Sequence, residues 1–137
     1  MRTILITGAS GGLAQEMVKL LLNDQLILLG RNKGKLSELY GNYPHVELIE
    51  IDITDDSTLE ALVADLYLRY GKIDVLINNA GYGIFEEFDQ ISYKDIHQMF
   101  EVNTFALMNL SRRLAARMKE NRKGHIINII SMAGLIA

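Results

Sequence analysis

The sequence predicts an α/β fold, a doubly wound parallel sheet with helices on both faces. Three observations carry that expectation. Short apolar runs alternate with amphipathic stretches along the chain, the pattern of repeated βαβ units. The apolar runs lack strict polar alternation, as strands covered on both faces do. A glycine-rich turn sits between the first strand-like run and the first helix-like stretch. The 137 residues fit one domain, since ordinary domains run about 100–200 residues.

Each element follows in order. Thr3 to Thr7 reads as a buried strand ended by Gly8, and Leu13 to Leu22 as a helix. Leu26 to Leu29 is a second buried strand, followed by Gly30-Arg31-Asn32. Lys33 to Tyr40 makes a short helix stopped by Gly41 and Pro44. Val46 to Ile51 is a third strand. Asp55 to Tyr70 places Leu59, Leu62, Val63, Leu66 and Tyr70 on one helical face, with Gly71 as its C-terminal stop. The acid pair Asp55-Asp56 suits a helix start. Ile73 to Ile77 is a fourth strand and Ile126 to Ile130 a fifth. One long helix is expected from Ser92 to Asn121, with Ser92 as N-cap and a stripe of Ile96, Phe100, Asn103, Leu107, Leu110 and Leu114. The basic residues at its end, Arg112, Arg113, Arg117, Lys119, Arg122 and Lys123, read as complements to the helix dipole and as solubilising charge.

Composition excludes several functions. Hydrophobic residues are 49% and charged residues 23%, a globular balance rather than a disordered one. The net charge of −3 gives no drive toward nucleic acid or an anionic membrane. The chain has no cysteine, so disulfides, thiolate zinc sites and thiol catalysis are out. His45, His97 and His125 are scattered without metal-ligand spacing, and no metal is expected. No apolar run reaches the roughly 18 residues of a membrane span, and no signal-peptide core follows the N-terminus. A cytoplasmic location is the resulting expectation.

Thr7-Gly8-Ala9-Ser10-Gly11-Gly12-Leu13-Ala14 carries the chemistry. Glycines let the backbone turn sharply and approach a ligand, and a helix N-terminus favours a pyrophosphate. Ser10 adds a hydroxyl donor. No Lys-Ser or Lys-Thr follows, which argues against a P-loop, and Ser10 breaks GxGxxG. The remaining pattern is TGxxxGx(G/A). Further on come Asp52-Ile53 after the third strand, Asn78-Asn79-Ala80-Gly81 after the fourth, Asn103 in the long helix, and Ser131 after Asn128-Ile129-Ile130.

With these motifs in this order, the whole chain resembles the short-chain dehydrogenase/reductase family. The resemblance implies a Rossmann-like NAD(P)-binding domain over residues 1–137, truncated after the fifth strand. It implies a hydride transfer between nicotinamide and a carbonyl or alcohol substrate. It assigns cofactor contacts to Gly8, Ser10, Gly11, Gly12, Leu13, Asp52, Ile53, Asn79, Ala80 and Gly81. It gives Ser131 a role on the substrate oxygen. Asn103 reads either as a satisfied structural amide or as the holder of a relay water; both can hold, and the resemblance favours the second, a catalytic role beside Ser131. Gly30 stands where an acid would bind the adenosine ribose hydroxyls of NAD, and Arg31 follows. An Arg pairs with a 2′-phosphate through charge-assisted hydrogen bonds, so NADP is expected over NAD. Lys33 and Lys35 read as solvated helix charges.

The resemblance also implies a Tyr-x-x-x-Lys pair beyond the Ser. None of the six tyrosines, Tyr40, Tyr43, Tyr67, Tyr70, Tyr82 and Tyr93, has a Lys four residues later. As given, the chain is expected to lack the proton donor and to be inactive alone. A non-catalytic nucleotide-binding or self-associating module is the competing expectation. The fifth strand, with no Pro or Lys within it, is expected to be an open edge that promotes a homo-oligomer.

Overall fold

The computed structural model describes residues 1–131. Five parallel strands form one sheet, β1 (Thr3–Ile6), β2 (Gln25–Gly30), β3 (Val46–Glu50), β4 (Val75–Asn78) and β5 (His125–Asn128). Their spatial order is β3-β2-β1-β4-β5. The first three strands step one way from β1, and the chain then returns to lay β4 and β5 on the other side. Ile4 pairs with Leu26 on one flank and Val75 on the other, so β1 is central.

Alternation along the strands feeds two cores. Leu5, Ile27, Leu29 and Leu76 face α3 (Asp56–Tyr70) and α5 (Ala106–Asn121), meeting Leu59, Leu66, Leu110 and Leu114. Ile4, Ile6, Leu26, Leu28 and Ile77 face Val18 of α1 (Gly12–Leu20), and Leu36 and Tyr40 of α2 (Lys33–Tyr40). Truncating one such buried leucine to alanine costs about 2–5 kcal/mol.

Caps set the helix starts. Asp55 accepts the Thr58 N–H at 3.2 Å at the head of α3. Asn32 accepts the Lys35 N–H at 3.0 Å on α2. Gly71 ends α3 in the left-handed region at φ 76°. Ser92 caps α4 (Tyr93–Phe100), accepting the Asp95 N–H at 3.1 Å.

The single long helix expected from Ser92 to Asn121 is corrected. A five-residue π turn, Glu101–Phe105, separates α4 from α5. The stripe is interrupted accordingly: Phe100 is half exposed, whereas Ala106, Leu110, Leu114 and Met118 are buried. Strand ends also shift: β4 runs Val75–Asn78 and β5 runs His125–Asn128. No helix among the described residues is long and apolar enough to cross a membrane.

Candidate active site

The strand order creates a cleft above the carboxyl ends of β2, β1 and β4, where chain direction across the sheet reverses. The glycine-rich loop is pinned beneath it. The Thr7 N–H donates to Ile77 O at 3.1 Å, and the Ala9 N–H to Leu29 O at 2.9 Å. Thr7 Oγ1 accepts the N–H groups of Asn79 at 3.0 Å and Ala80 at 2.9 Å. Asn79 Nδ2 returns a bond to Gly8 O at 3.1 Å. The buried Tyr40 hydroxyl donates to Ala9 O from behind the loop.

Gly8 is required twice over. Its φ is +61°, and a Cβ there would lie 2.7 Å from Ala80 Cα and 2.8 Å from Ala80 N. The two loops therefore touch backbone to backbone. Gly11 caps α1, and no side chain among the described residues bonds to that N-terminus. The free N–H groups and the helix dipole leave it suited to an anion.

A cavity of about 360 Å³ opens in this cleft. Of the residues singled out in the sequence, Gly8, Ser10, Arg31, Asp52, Ile53, Ala80 and Gly81 line it. Gly11, Gly12 and Leu13 lie exposed at the loop and first turn of α1, outside that lining. Asn79 ties the loops together as described above. Gly30, also singled out in the sequence, lines the cavity too, and Leu29, Asn32, Lys35, Ile51, Tyr82 and Val102 complete the wall. Lys35, read in the sequence as a solvated helix charge, is brought to the cavity because α2 begins at its rim.

Asp52 Oδ1 accepts from the Thr54 hydroxyl at 2.7 Å and from the Thr54 N–H at 3.0 Å. Those bonds, with a smaller pull from Arg31, hold its carboxyl below the ordinary range despite partial burial. Asp52 thus stays ionised at neutral pH and feels Arg31 across the cavity mouth.

Asn103 lies in the π turn. Its Oδ1 accepts the Tyr82 N–H at 3.0 Å, and its Nδ2 donates to Tyr82 O at 2.7 Å. One amide thereby fixes the backbone of the residue after Asn79-Ala80-Gly81. Beneath it, Asn78 Nδ2 donates to Ser111 Oγ and Asn128 Oδ1, both at 2.9 Å, joining β4, α5 and β5. Ser131 follows β5 and is exposed, outside the cavity lining. The Ile129 N–H donates to Asn78 O at 3.0 Å, which carries the β4 pairing one residue past β5.

The cleft combines a loop whose glycine permits close backbone approach, a helix N-terminus with no side-chain cap, and a pocket lined by Arg31, Lys35 and Asp52. Comparison with known proteins identifies a family. The sequence model described as short chain dehydrogenase matches residues 2–137. A 3-ketodihydrosphingosine reductase from Bacteroides thetaiotaomicron is 32% identical over 97% of this chain, which covers 48% of that reductase. An NADP-dependent 3-hydroxy acid dehydrogenase from Escherichia coli is 30% identical over 96% of this chain, which covers 54% of it. The solved structure of a short-chain dehydrogenase from Streptomyces avermitilis superposes with a TM-score of 0.92 at 32% identity, over 99% of this chain and 51% of that one. The chain spans about half the length of the curated relatives it matches. By its matched sequence, its parallel sheet and its loop geometry, the chain belongs to the short-chain dehydrogenase/reductase family.

Proposed function

We propose that this chain binds NADP(H) and forms the cofactor half of an oxidoreductase acting on a small carbonyl or alcohol substrate. The cofactor, when bound, supplies or accepts the hydride. The chain's own groups hold it. The loop from Gly8 to Leu13 and the N-terminus of α1 receive the pyrophosphate, with Ser10 as a hydroxyl donor. Asp52 and Ile53 contact the adenine. Asn79, Ala80 and Gly81 wall the cleft toward the nicotinamide, and Asn103 keeps that wall in place through Tyr82. Ser131 orients the substrate oxygen and stabilises the charge that develops there.

The observation that carries this reading is the contact of Gly8 with Ala80 beneath a cavity of about 360 Å³. That volume lies within the range of about 300–1,000 Å³ common for small-molecule sites. Two features favour NADP over NAD. Arg31 and Lys35 line the adenosine end. A side chain at position 30 would also meet Leu36, whose carbons would lie 3.1 Å from its Cβ. An acid at that position would therefore need Leu36 to move. The NADP dependence in the name of the Escherichia coli relative supports the same choice.

Titration of NADPH and NADH by nicotinamide fluorescence tests the proposal. Saturable binding that is tighter for NADPH is expected. Arg31→Ala should weaken NADPH by roughly tenfold or more, the value of a hydrogen bond to a charged group, and leave NADH little changed. Equal affinities in the wild-type chain would overturn the NADP assignment, and no binding would overturn the site.

Apolar side chains exposed on α4, the π turn, α5 and β5 support self-association of the chain. They include Phe100, Phe105, Met108 and Ile127.

A further inference from the structure

The adenosine end of the cleft carries a charge whose position no cofactor contact explains. Glu50 is the last residue of β3 and pairs in register with Gly30 of β2. Its neighbours Ile49 and Ile51 pack toward α3 and α5, while Leu48 packs toward α1 and α2. Strand alternation therefore sends Glu50 to the α2 side. There its Oε1 accepts the N–H of Lys33, the first residue of α2, at 3.0 Å. Lys33 lies two residues after Arg31. Arg31, Asn32 and Lys35 from the same stretch all line the cavity.

The cations at this end are thus opposed. Arg31 and Lys35 line it, but Asp52 lines it too and Glu50 adjoins it through the Lys33 N–H, so two acids oppose the two lining cations. Asn32 also occupies the Lys35 N–H. A phosphate arriving here finds two of the first-turn donors taken, one of them by a full negative charge. A cap alone would need only an acceptor, as the neutral Asn32 amide shows beside it. A phosphate monoester brings roughly −1.5 to −2 charge at neutral pH, and the Glu50 carboxylate repels it.

We propose that Glu50 is a specificity-determining residue that weakens recognition of the cofactor's 2′-phosphate and so narrows the preference for NADP over NAD. This rests on the placement of the adenosine ribose beside Arg31 under the proposed function. Because Glu50 is exposed, its effect is that of a screened surface charge, roughly three- to fivefold in affinity.

Calorimetric titration of the whole chain with 2′,5′-ADP and 5′-AMP isolates the effect, since the two probes differ only in the 2′-phosphate. The quantity read is the ratio of dissociation constants, 5′-AMP over 2′,5′-ADP. Glu50→Gln keeps an acceptor for Lys33 and removes the charge. It should raise the ratio roughly three- to fivefold by tightening 2′,5′-ADP, with 5′-AMP unchanged and the gain shrinking as salt is added. Glu50→Ala should raise the ratio too, although it loses the acceptor. An unchanged or lower ratio in Glu50→Gln overturns the proposal, as does equal weakening of both nucleotides in both variants, the sign of a cap alone. A wild-type ratio near one that rises in Glu50→Gln refutes the NADP assignment and leaves the role of Glu50 standing. Failure of either nucleotide to bind any variant overturns both.

Discussion

Gly8 and Gly12 sit in one loop, yet alanine should fail at them for opposite reasons. At Gly8 the obstacle is the protein itself. The backbone is at φ +61°, and the new Cβ would approach Ala80 Cα to 2.7 Å. The left-handed conformation costs an alanine about 1–2 kcal/mol relative to glycine. The overlap is with backbone, which cannot rotate away, and relieving it by moving one loop adds about 1–3 kcal/mol. Gly8→Ala should therefore destabilise the fold by roughly 2–5 kcal/mol, which lowers the melting temperature by about 8–20 °C for a domain of this size. Gly12 is the first residue of α1, and nothing lies within 4 Å of a Cβ placed there. Gly12→Ala should leave stability equal or raise it by about 0.5–1 kcal/mol. It should still weaken NADPH binding at least tenfold, if the space in front of it belongs to the pyrophosphate. Thermal unfolding by circular dichroism and NADPH titration on both variants separate the two effects. A Gly8→Ala chain melting within 2 °C of wild type would refute the backbone-contact argument (the margin is about half the shift expected from 1 kcal/mol). Unaltered NADPH affinity in Gly12→Ala would refute the close approach.

Other predictions rest on separate contacts. Burial opposes the charge on Asp74, but the Thr3 N–H at 2.8 Å, Lys72 at 3.0 Å and the field of Lys123 outweigh it and hold the carboxyl below its ordinary value. A lowered folded value means that its stabilisation is complete above the unfolded value near about 3.9 and is lost as pH falls through the folded one. Urea unfolding from pH 7 to pH 3 should show that loss, and Asp74→Asn should flatten it while costing about 1–2 kcal/mol at pH 7. An unchanged pH profile in the variant would contradict this role. Asn103→Leu removes both bonds to the Tyr82 backbone and should cost about 1–3 kcal/mol, together with protection of the Tyr82 amide in hydrogen exchange. A Tyr82 amide that exchanges at the wild-type rate would show that the clamp is not needed. Size-exclusion chromatography with light scattering should give a mass that rises with concentration, and a monomer at every concentration would rule out the association inferred from the exposed apolar side chains.

Much of the architecture was legible because buried strands and caps are local signals. Asp55, Gly71 and Ser92 mark helix ends through their own side chain or backbone preference, and the structure places caps at all three. The segment from Thr7 to Ala14 is legible as a strand–turn–helix junction, since strand, glycines and helix follow in that order. The π turn was not legible. Phe100, Asn103, Leu107, Leu110 and Leu114 keep helical spacing straight through it, and periodicity does not report a change in hydrogen-bond pairing. Arg113 shows the same limit. It read as a solvated end-of-helix charge, but its Nη2 lies 2.8 Å from Asp56 Oδ2, a partner 57 residues away. Lys35 and Glu50 escaped for a related reason: a charge at a helix start or a strand end is ordinary, and only the fold shows that Lys35 lines the cleft and that Glu50 bonds the first N–H of α2 beside it.

The bonds from Thr7 Oγ1 to Asn79 and Ala80 span 72 and 73 residues of chain. Contacts of such long sequence separation form late, because the loop they close must lose its freedom before they return anything. The cleft therefore does not exist in a partly folded chain holding only β1, β2 and β3. Under the proposed function, a nucleotide would have nothing to template at that stage and would act on the finished sheet alone, raising its stability by mass action once β4 has docked. Fraying of β3 or β5 at the outer edges leaves the junction of β1 with β4 intact. Binding in this cleft would thus report that the central strands have paired.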